Sequence, residues 1–204
     1  QLFAANSPGA TDLYYAFKSL PAPSDFLVDL PPNEFYPDDL MRMRAQWWAV
    51  RDRSDFDKCL QTLRADREAV SVKLRSERVR YLFSRETLEA YARGDYGAHH
   101  LGAPVPSSLR REHLHNCAEL LRMQPKMEVG WTKQSIEVYF GVSDSAVCLA
   151  LSGERPAALW GMAINGTQSA RPFQVEFQRL WEGAETDRSS VAQWFDFLAE
   201  YECQ

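Results

Sequence analysis

Four strand-like segments follow one another closely in the C-terminal half of the chain, and no other feature restricts the fold as much. They are residues 127–131, 136–140, 146–151 and 157–164. Turn-forming residues separate them, among them the tripeptide at 143–145, Ser-Asp-Ser. Because strands joined by short links pair with their neighbours in sequence, the pattern predicts an antiparallel meander.

Helical spacing of apolar residues dominates the N-terminal half. Helices are predicted over 11–20, 38–50, 54–76 (with Ser54 as N-cap), 84–94 and 107–123, and two more, 172–181 and 189–201, close the chain. The apolar runs 25–30 and 78–83 predict strands, the second half-buried because its apolar residues alternate with arginines. The predicted class is α/β with α+β character: a mixed sheet with a C-terminal antiparallel meander flanked by helices.

The length and composition of the chain are those of an ordinary globular protein. Its 204 residues are 45% hydrophobic and 25% charged, which fits one domain with a core of its own. We therefore expect a single domain over residues 1–204. Because the sequence starts at Gln1, without an initiator methionine or a signal-peptide pattern, we expect it to be excised from a longer chain.

The net charge and the cysteines bear on partners and location. A net charge of −5 lacks the basic balance of a duplex-binding domain, so we expect no direct nucleic-acid partner. No apolar run is long enough to span a membrane, so we expect no membrane partner. The four cysteines form no C-x-x-C pair and are interpreted as reduced thiols of a cytoplasmic protein.

The densest group of potential ligands is the HLHNC segment at residues 113–117. His113 and Cys117 are four residues apart and share one helix face, and His99 is a candidate third ligand from an upstream loop. A core role for these residues is the simpler interpretation, so we predict no metal and no cofactor. The alternative is a metal-assisted or thiol-dependent hydrolase centred on His113, His115 and Cys117.

Catalytic and nucleotide-binding motifs are missing from the sequence. Neither a G-x-S-x-G elbow nor a glycine-rich phosphate loop occurs. We therefore predict no catalytic residues and expect a protein that is not an enzyme.

The chain has six tryptophans, an abundance that favours a binding surface. The candidate ligand-binding residues are three aromatics of the predicted sheet and one histidine: Trp131, Tyr139, Trp160 and His113. Trp47 and Trp48 are adjacent on a predicted helix and cannot both face the core. Together with Trp194 they are the candidate interface residues, including for a homodimer.

The C-terminal half resembles the phospholipase D-like fold. The resemblance rests on a helix (LRREHLHNCAELLRM), strands (KMEVGWT, SIEVYFGVSDSAVCLALS, AALWGMAI) and a helix with Phe177 and Trp181 at i and i+4. Catalysis in that family needs His-x-Lys and an Asp, but neither the sequence at 113–115 (HLH) nor that at 99–101 (HHL) supplies the lysine. The resemblance implies a catalytically degenerate domain, similar to the effector-sensing portions of some transcriptional regulators.

These observations lead to one main hypothesis and two alternatives. The main hypothesis is a non-catalytic ligand-sensing or protein-interaction domain of a larger intracellular regulator, of transcription if the resemblance holds. Its partner is then a small-molecule effector or another protein. The alternatives are the hydrolase described above and an oligomerisation module.

Overall fold

A seven-stranded mixed sheet organises the part of the chain that the structure describes. The computed structural model describes residues 2–4, 20–21, 23–96, 103–134, 136, 138–152 and 159–203, without the side chains of 2–4, 33, 51–52, 150–152 and 159–161. The strands are β1 (Leu2–Ala4), β2 (Ser24–Val28), β3 (Val79–Ser84), β4 (Met127–Thr132), β5 (Tyr139–Ser143), β6 (Ala146–Ser152) and β7 (Leu159–Asn165).

Helices connect and cover these strands. They are α1 (Asp38–Asp52), α2 (Phe56–Ser76), α3 (Arg85–Arg93), α4 (Ser107–Met123), α5 (Thr167–Glu182) and α6 (Arg188–Phe197). A 3-10 turn (Asn33–Phe35) precedes α1, and a π-helical turn (Leu198–Glu202) extends α6. The predicted α/β class with a mixed sheet is confirmed. The predicted helix over 11–20 lies outside the described residues except for Leu20. Among the described residues, no helix has the length and apolarity required to cross a membrane.

The strand order β1-β7-β6-β5-β2-β3-β4 divides the sheet into two parts. Strands β2, β3 and β4 are parallel, whereas β5, β6, β7 and β1 pair antiparallel, and β5 joins the two parts by pairing antiparallel with β2. The predicted four-strand meander is therefore wrong in its first member. Strand β4 pairs with β3 instead, because the helices α3 and α4 between them form a crossover, which makes the pair parallel.

The two faces of the sheet carry separate apolar clusters. The larger one packs α1, α2, α3, α4 and α6 against β-strand residues such as Phe83 and Val129. The smaller one packs α5 against the opposite face, with Phe177 and Leu180 over Leu27 and Leu82. Because both faces are covered, β3 is buried along its whole length. The prediction of a half-buried β3 is therefore wrong, and Arg80 is buried among its neighbours.

The ends of several elements follow local rules. Ser84 caps α3 by accepting a hydrogen bond from the Thr87 N–H (3.4 Å), and Gly94 ends it at φ 91°, a left-handed conformation that favours glycine. The predicted Ser54 cap of α2 is wrong. Asp55 takes that role, and its carboxylate accepts from the Lys58 N–H at 2.9 Å.

Helix α5 starts earlier and strand β5 later than predicted. The sequence pattern predicts that α5 starts at Pro172, but the helix begins at Thr167 and contains Pro172, whose missing N–H costs one helical hydrogen bond. Strand β5 starts at Tyr139 rather than at residue 136, because its ladder with β2 runs only from Phe140 to Ser143.

Candidate ligand-binding site

Three half-buried polar residues meet at the carboxyl ends of the parallel strands. Asp29 directly follows β2, Tyr96 lies just beyond α3, and Tyr139 begins β5. The Tyr96 hydroxyl donates to Asp29 Oδ2 at 2.9 Å, and Asp29 Oδ1 accepts from the Leu30 N–H at 2.8 Å. We call Asp29, Tyr96 and Tyr139 the Asp29 cluster.

The sheet register explains why Tyr139 reaches this place. Leu27 in β2 is paired with Phe140 in β5, so Tyr139 lies one position further along, opposite Val28. Asp29 is the next residue of the chain after Val28. The antiparallel joint between β2 and β5 therefore brings a phenol from the meander beside a carboxylate from the parallel half.

The two phenols of the Asp29 cluster stay neutral. Burial, reinforced by the negative charge of Asp29, raises the pKa of Tyr96 and that of Tyr139 above the ordinary tyrosine value. A side-chain hydrogen bond links Tyr96 to Tyr139. The cluster is thus a short chain of hydroxyl groups that ends on a carboxylate.

Buried neutral groups lie beneath the cluster. Tyr36 packs edge-on against the imidazole of His113, with ring centroids 4.9 Å apart, and His113 Nδ1 shares a hydrogen bond with the Tyr91 hydroxyl at 2.8 Å. Burial raises the pKa of Tyr36 to about 12, with Asp29 adding to the rise and Arg44 opposing it. Burial lowers the pKa of His113 to about 3. The floor of the site is therefore uncharged at neutral pH.

The predicted ligand residue His113 lies in this floor and not at the surface. Its side chain is only 1% exposed and packs against the Tyr36 ring, so a ligand at the surface cannot contact it directly. Cys117 is buried as well, and burial raises its pKa, which keeps the thiol protonated.

The histidines and the cysteine of the hydrolase alternative do not converge. His113 and Cys117 are buried, whereas His115 lies at the surface of α4, where its two nitrogens contact Asp196 (3.1 Å) and Glu200 (3.0 Å). His99 lies outside the described residues. Within the described part of the chain, no group of three or more His, Cys, Asp or Glu side chains is arranged to hold a metal ion.

Trp131 and Trp194 contact each other rather than forming two separate surfaces. Their ring centroids are 5.3 Å apart, and the Arg85 guanidinium lies 4.8 Å from the Trp131 ring. Trp131 belongs to β4, two strands away from Asp29 and at the edge of the sheet. Trp160 belongs to β7, but its side chain is outside the described residues, so its role stays a prediction.

Trp47 and Trp48 flank one arginine of α1. Trp48 is buried (6% exposed) and Trp47 is half-buried, and the Arg44 guanidinium lies 4.5 Å from one ring and 5.3 Å from the other. Both rings thus pack in or beside the core, although their adjacent positions on the helix predict that they cannot both face it. Their role in an interface stays a prediction.

Two members of the Asp29 cluster were missed by sequence reasoning. Asp29 ends the apolar run DFLVD, and a polar residue at the carboxyl end of a buried strand is a usable signal. Tyr96 carries no such signal, because its position depends on how α3 ends at Gly94.

A shallow surface pocket of about 450 Å³ lies along α4, on the outside of the molecule. Two of its polar lining residues are already engaged within the protein: Asn116 donates to the Phe35 carbonyl at 2.6 Å, and Arg111 donates to the Ala199 and Cys203 carbonyls. These contacts fix α4 against its neighbours and make the Asp29 cluster the better candidate.

Comparisons with known proteins give a fold likeness and no family. No protein-family model and no curated protein matches the chain. A solved structure of TrmBL2, described as an archaeal chromatin protein with a novel mode of DNA binding, is similar with a TM-score of 0.49 and 10% identity. The match covers 92% of this chain and about half (53%) of that one. The phospholipase D-like resemblance is not confirmed.

This likeness corrects one expectation. We expected no direct nucleic-acid partner from the acidic net charge, and a similar structure that belongs to a DNA-binding protein contradicts that expectation. The net charge of a whole chain is a poor guide here, because binding depends on where the charges lie. At 10% identity the match assigns no partner to this chain.

Proposed function

We propose that this chain is a non-catalytic, ligand-binding domain of a larger regulator, and that its ligand binds at the Asp29 cluster. The observation that carries the proposal is the half-buried Asp29 carboxylate, hydrogen-bonded to Tyr96 at the carboxyl end of a parallel strand. Ligands of open α/β sheets bind outside the carboxyl ends of the strands, which is where this carboxylate lies.

The chemistry of the surrounding groups supports binding rather than catalysis. A nucleophile is activated by an adjacent general base, by a lowered pKa or by a metal. The pKa values of Tyr96, Tyr139 and Cys117 are instead raised, which disfavours their nucleophilic forms. His113 is neutral, but it is buried and engaged with Tyr91. Neutral phenols with fixed positions are well suited to orient a ligand through hydrogen bonds.

The position of the cluster also supports a regulatory role. Its three members come from the end of β2, the end of α3 and the start of β5, so a ligand that bridges them ties the parallel and the antiparallel halves of the sheet together. Beneath them, Tyr36, His113 and Tyr91 link α3 and α4. Occupancy of the site therefore changes the stability of elements on both sides of the β2–β5 joint.

The test is a thermal-shift screen of small metabolites against the wild-type chain and three tyrosine variants. A ligand present at a hundredfold excess over its Kd raises Tm by roughly 5–10 °C in a protein of this size. We expect Tyr96→Phe and Tyr139→Phe to reduce that rise. Tyr201→Phe is the matched control, because Tyr201 is 66% exposed on the C-terminal π-helical turn and the change removes the same hydroxyl.

Two outcomes contradict the proposal. One is a ligand whose effect is equal in all four proteins, since it then binds elsewhere. The other is turnover of an ester or phosphodiester by the purified wild-type chain.

A further inference from the structure

One histidine of α4 contacts two carboxylates near the C-terminal end of the chain. His115 Nδ1 lies 3.1 Å from Asp196 Oδ1, and its Nε2 lies 3.0 Å from Glu200 Oε1. Asp196 belongs to α6, and Glu200 belongs to the π-helical turn (Leu198–Glu202). The three side chains are between 34% and 57% exposed, so protons reach them from solvent. We call these three residues the His115 bridge.

The number of protons on the imidazole decides how many of these contacts are hydrogen bonds. A neutral imidazole carries one N–H, whereas the protonated ring donates from both nitrogens. Because ionised carboxylates only accept, a neutral His115 donates to Asp196 or to Glu200 but not to both. The other nitrogen then faces a carboxylate with no hydrogen between them. Histidine is also the side chain that ordinarily changes its charge between pH 5 and 8.

The two carboxylates of the His115 bridge differ in their other partners. Asp196 Oδ2 also accepts from Arg122, and an arginine keeps its charge throughout this pH range. Glu200 has no hydrogen bond or ion pair besides that with His115 in the part of the chain that the structure describes. Glu200 is therefore the carboxylate that is left without a partner when its contact with the imidazole breaks.

The other charged groups that line the pocket beside His115, or that bind its partners, belong to α4. They are Arg111, Glu112, Glu119 and Arg122, two acidic and two basic, and the lining residue from outside α4 is the uncharged Pro37. Arg111 donates to the carbonyls of Ala199 and Cys203, at 3.2 Å and 3.1 Å. This second attachment of the turn to α4 does not depend on pH, because the guanidinium stays charged.

We propose that the His115 bridge is a pH-sensitive switch. Protonated His115 donates to Asp196 and Glu200 and fastens the C-terminal turn to α4, and loss of the proton releases Glu200 and loosens the turn. The π-helical form of the turn supports this role, since π-helices are rare and frequently lie at functional sites. Arg111 keeps the loosened turn attached. The switch is independent of any ligand at the Asp29 cluster.

The test is hydrogen exchange, followed by NMR, of an amide at the end of the turn. The Cys203 N–H donates to the Leu198 carbonyl at 3.2 Å, so it exchanges when the turn opens. The Glu77 N–H, which donates to the Lys73 carbonyl at the end of α2, is the reference amide. We expect the protection factor of Cys203, relative to that of Glu77, to fall by roughly two- to fivefold from pH 6 to pH 8, because partly exposed ion pairs contribute modestly.

Three variants assign this change to the bridge. Glu200→Gln removes the ionised acceptor and is expected to abolish the pH dependence of Cys203 protection. Glu119→Gln is the matched control, because Glu119 lies one turn from His115 on α4, lines the same pocket and loses the same charge. It is expected to retain the pH dependence. His115→Arg keeps a positive charge at both pH values, so protection at pH 8 is expected to stay at its pH 6 level.

The outcomes decide between a proton-controlled contact and a merely structural one. The buried His113 is unchanged in all three variants, so it cannot account for a difference between them and the wild type. The proposal is wrong if wild-type protection of Cys203 does not fall between pH 6 and pH 8, or if it falls equally in Glu200→Gln. A fall that is present in the wild type and Glu119→Gln, and absent in Glu200→Gln and His115→Arg, supports it.

Discussion

Asp25 and Asp29 lie four residues apart on one segment of the chain, but Asp25 lies inside β2 in a packed ion pair and Asp29 lies half-buried after the strand ends. Asp25, inside β2, accepts two hydrogen bonds from the Arg80 guanidinium, at 2.6 Å and 2.7 Å. Arg80 also donates to Gln178 at 3.0 Å, and the Phe177 ring lies 4.8 Å from its guanidinium carbon. This ion pair is closed off beneath α5. Asp29, at the end of the strand, accepts hydrogen bonds from the Tyr96 phenol and from the Leu30 N–H.

The end of β2 creates this difference. Residues i and i+4 of a strand face the same side of a sheet, so Asp29 would lie near α5 if the strand continued. Strand β2 ends at Val28, and Asp29 turns back to accept from the Leu30 N–H. One aspartate is therefore a part of the packing, and the other lies at the open edge. The same residue type is thus held in a packed ion pair or left half-buried at the end of the strand, according to where the strand stops.

The largest effect expected from this comparison is on the Asp25–Arg80 pair. Asp25→Ala leaves a guanidinium buried without its carboxylate, and we expect the free energy of unfolding to fall by about 3 kcal/mol. The side chains of Arg80 and Asp25 are only 10% and 17% exposed, so water cannot replace the lost partner. Urea unfolding followed by circular dichroism measures the change.

The Arg78–Glu128 pair is the matched control. It joins Arg78, directly before β3, to Glu128 in β4, with a similar N–O distance of 2.8 Å, but its side chains are 50% and 40% exposed. Glu128→Ala is expected to cost less than about 1 kcal/mol. Equal losses in the two variants would contradict the view that Asp25 is a packed ion pair and Glu128 a solvated one.

Local rules were sufficient for the elements whose signals lie within a few residues. Ser84 and Gly94 bound α3 as predicted, because a cap and a left-handed glycine act on their own helix. The position of β4 was not predictable in this way, since its partner β3 lies on the other side of two helices. The burial of Arg80 was missed for the same reason: α5, which covers it, is about a hundred residues away in sequence.

The candidate site was predictable only in part. Tyr139 was singled out as an aromatic of the sheet, and it does lie in the Asp29 cluster. Asp29 and Tyr96 were missed because what brings them together is the end of β2 and the turn after α3. A site assembled from the ends of elements leaves little trace in the periodicity of the sequence.

The second largest effect is expected in the pH dependence of the free energy of unfolding. It arises from the uncharged floor beneath Asp29, whereas Asp25 is paired with a cation. The pKa of His113 falls from its ordinary value near 6.5 to about 3 on folding, since burial disfavours the imidazolium. Above pH 6.5 neither state binds this proton. As the pH falls below 6.5 the unfolded chain takes it up first, so stability is lost, by about 2 kcal/mol between pH 7 and pH 5.

The contribution of His113 is isolated by comparing variants at both pH values. His113→Gln keeps a polar group near Tyr91 and is expected to remove most of this acid-dependent loss in urea unfolding. His115→Gln removes an imidazole at the surface of α4 and is expected to retain the loss. If both variants lose stability between pH 7 and pH 5 as the wild type does, the buried imidazole is not the cause.

A smaller effect is expected at the hydrogen bond that holds this floor. Tyr91→Phe removes the hydroxyl bonded to His113 Nδ1 and leaves that nitrogen buried without its partner. We expect a loss of about 1.5 kcal/mol, because an orphaned buried polar group costs more than the net worth of its hydrogen bond. Urea unfolding measures it, and His113→Gln combined with Tyr91→Phe tests the coupling. If the two changes add fully, the hydroxyl and the imidazole act independently.

The smallest effect on stability is expected at Asp29 itself. Asp29→Asn keeps an acceptor for the Leu30 N–H and the Tyr96 hydroxyl, and the half-buried amide needs less hydration than the carboxylate did. We expect the free energy of unfolding to change by less than about 1 kcal/mol. Asp25→Asn, four residues earlier, is the comparison in urea unfolding, and it should cost clearly more because Arg80 then lacks its counter-charge. A large loss in Asp29→Asn would place Asp29 in the same structural class as Asp25 and remove the main reason to regard its cluster as a binding site.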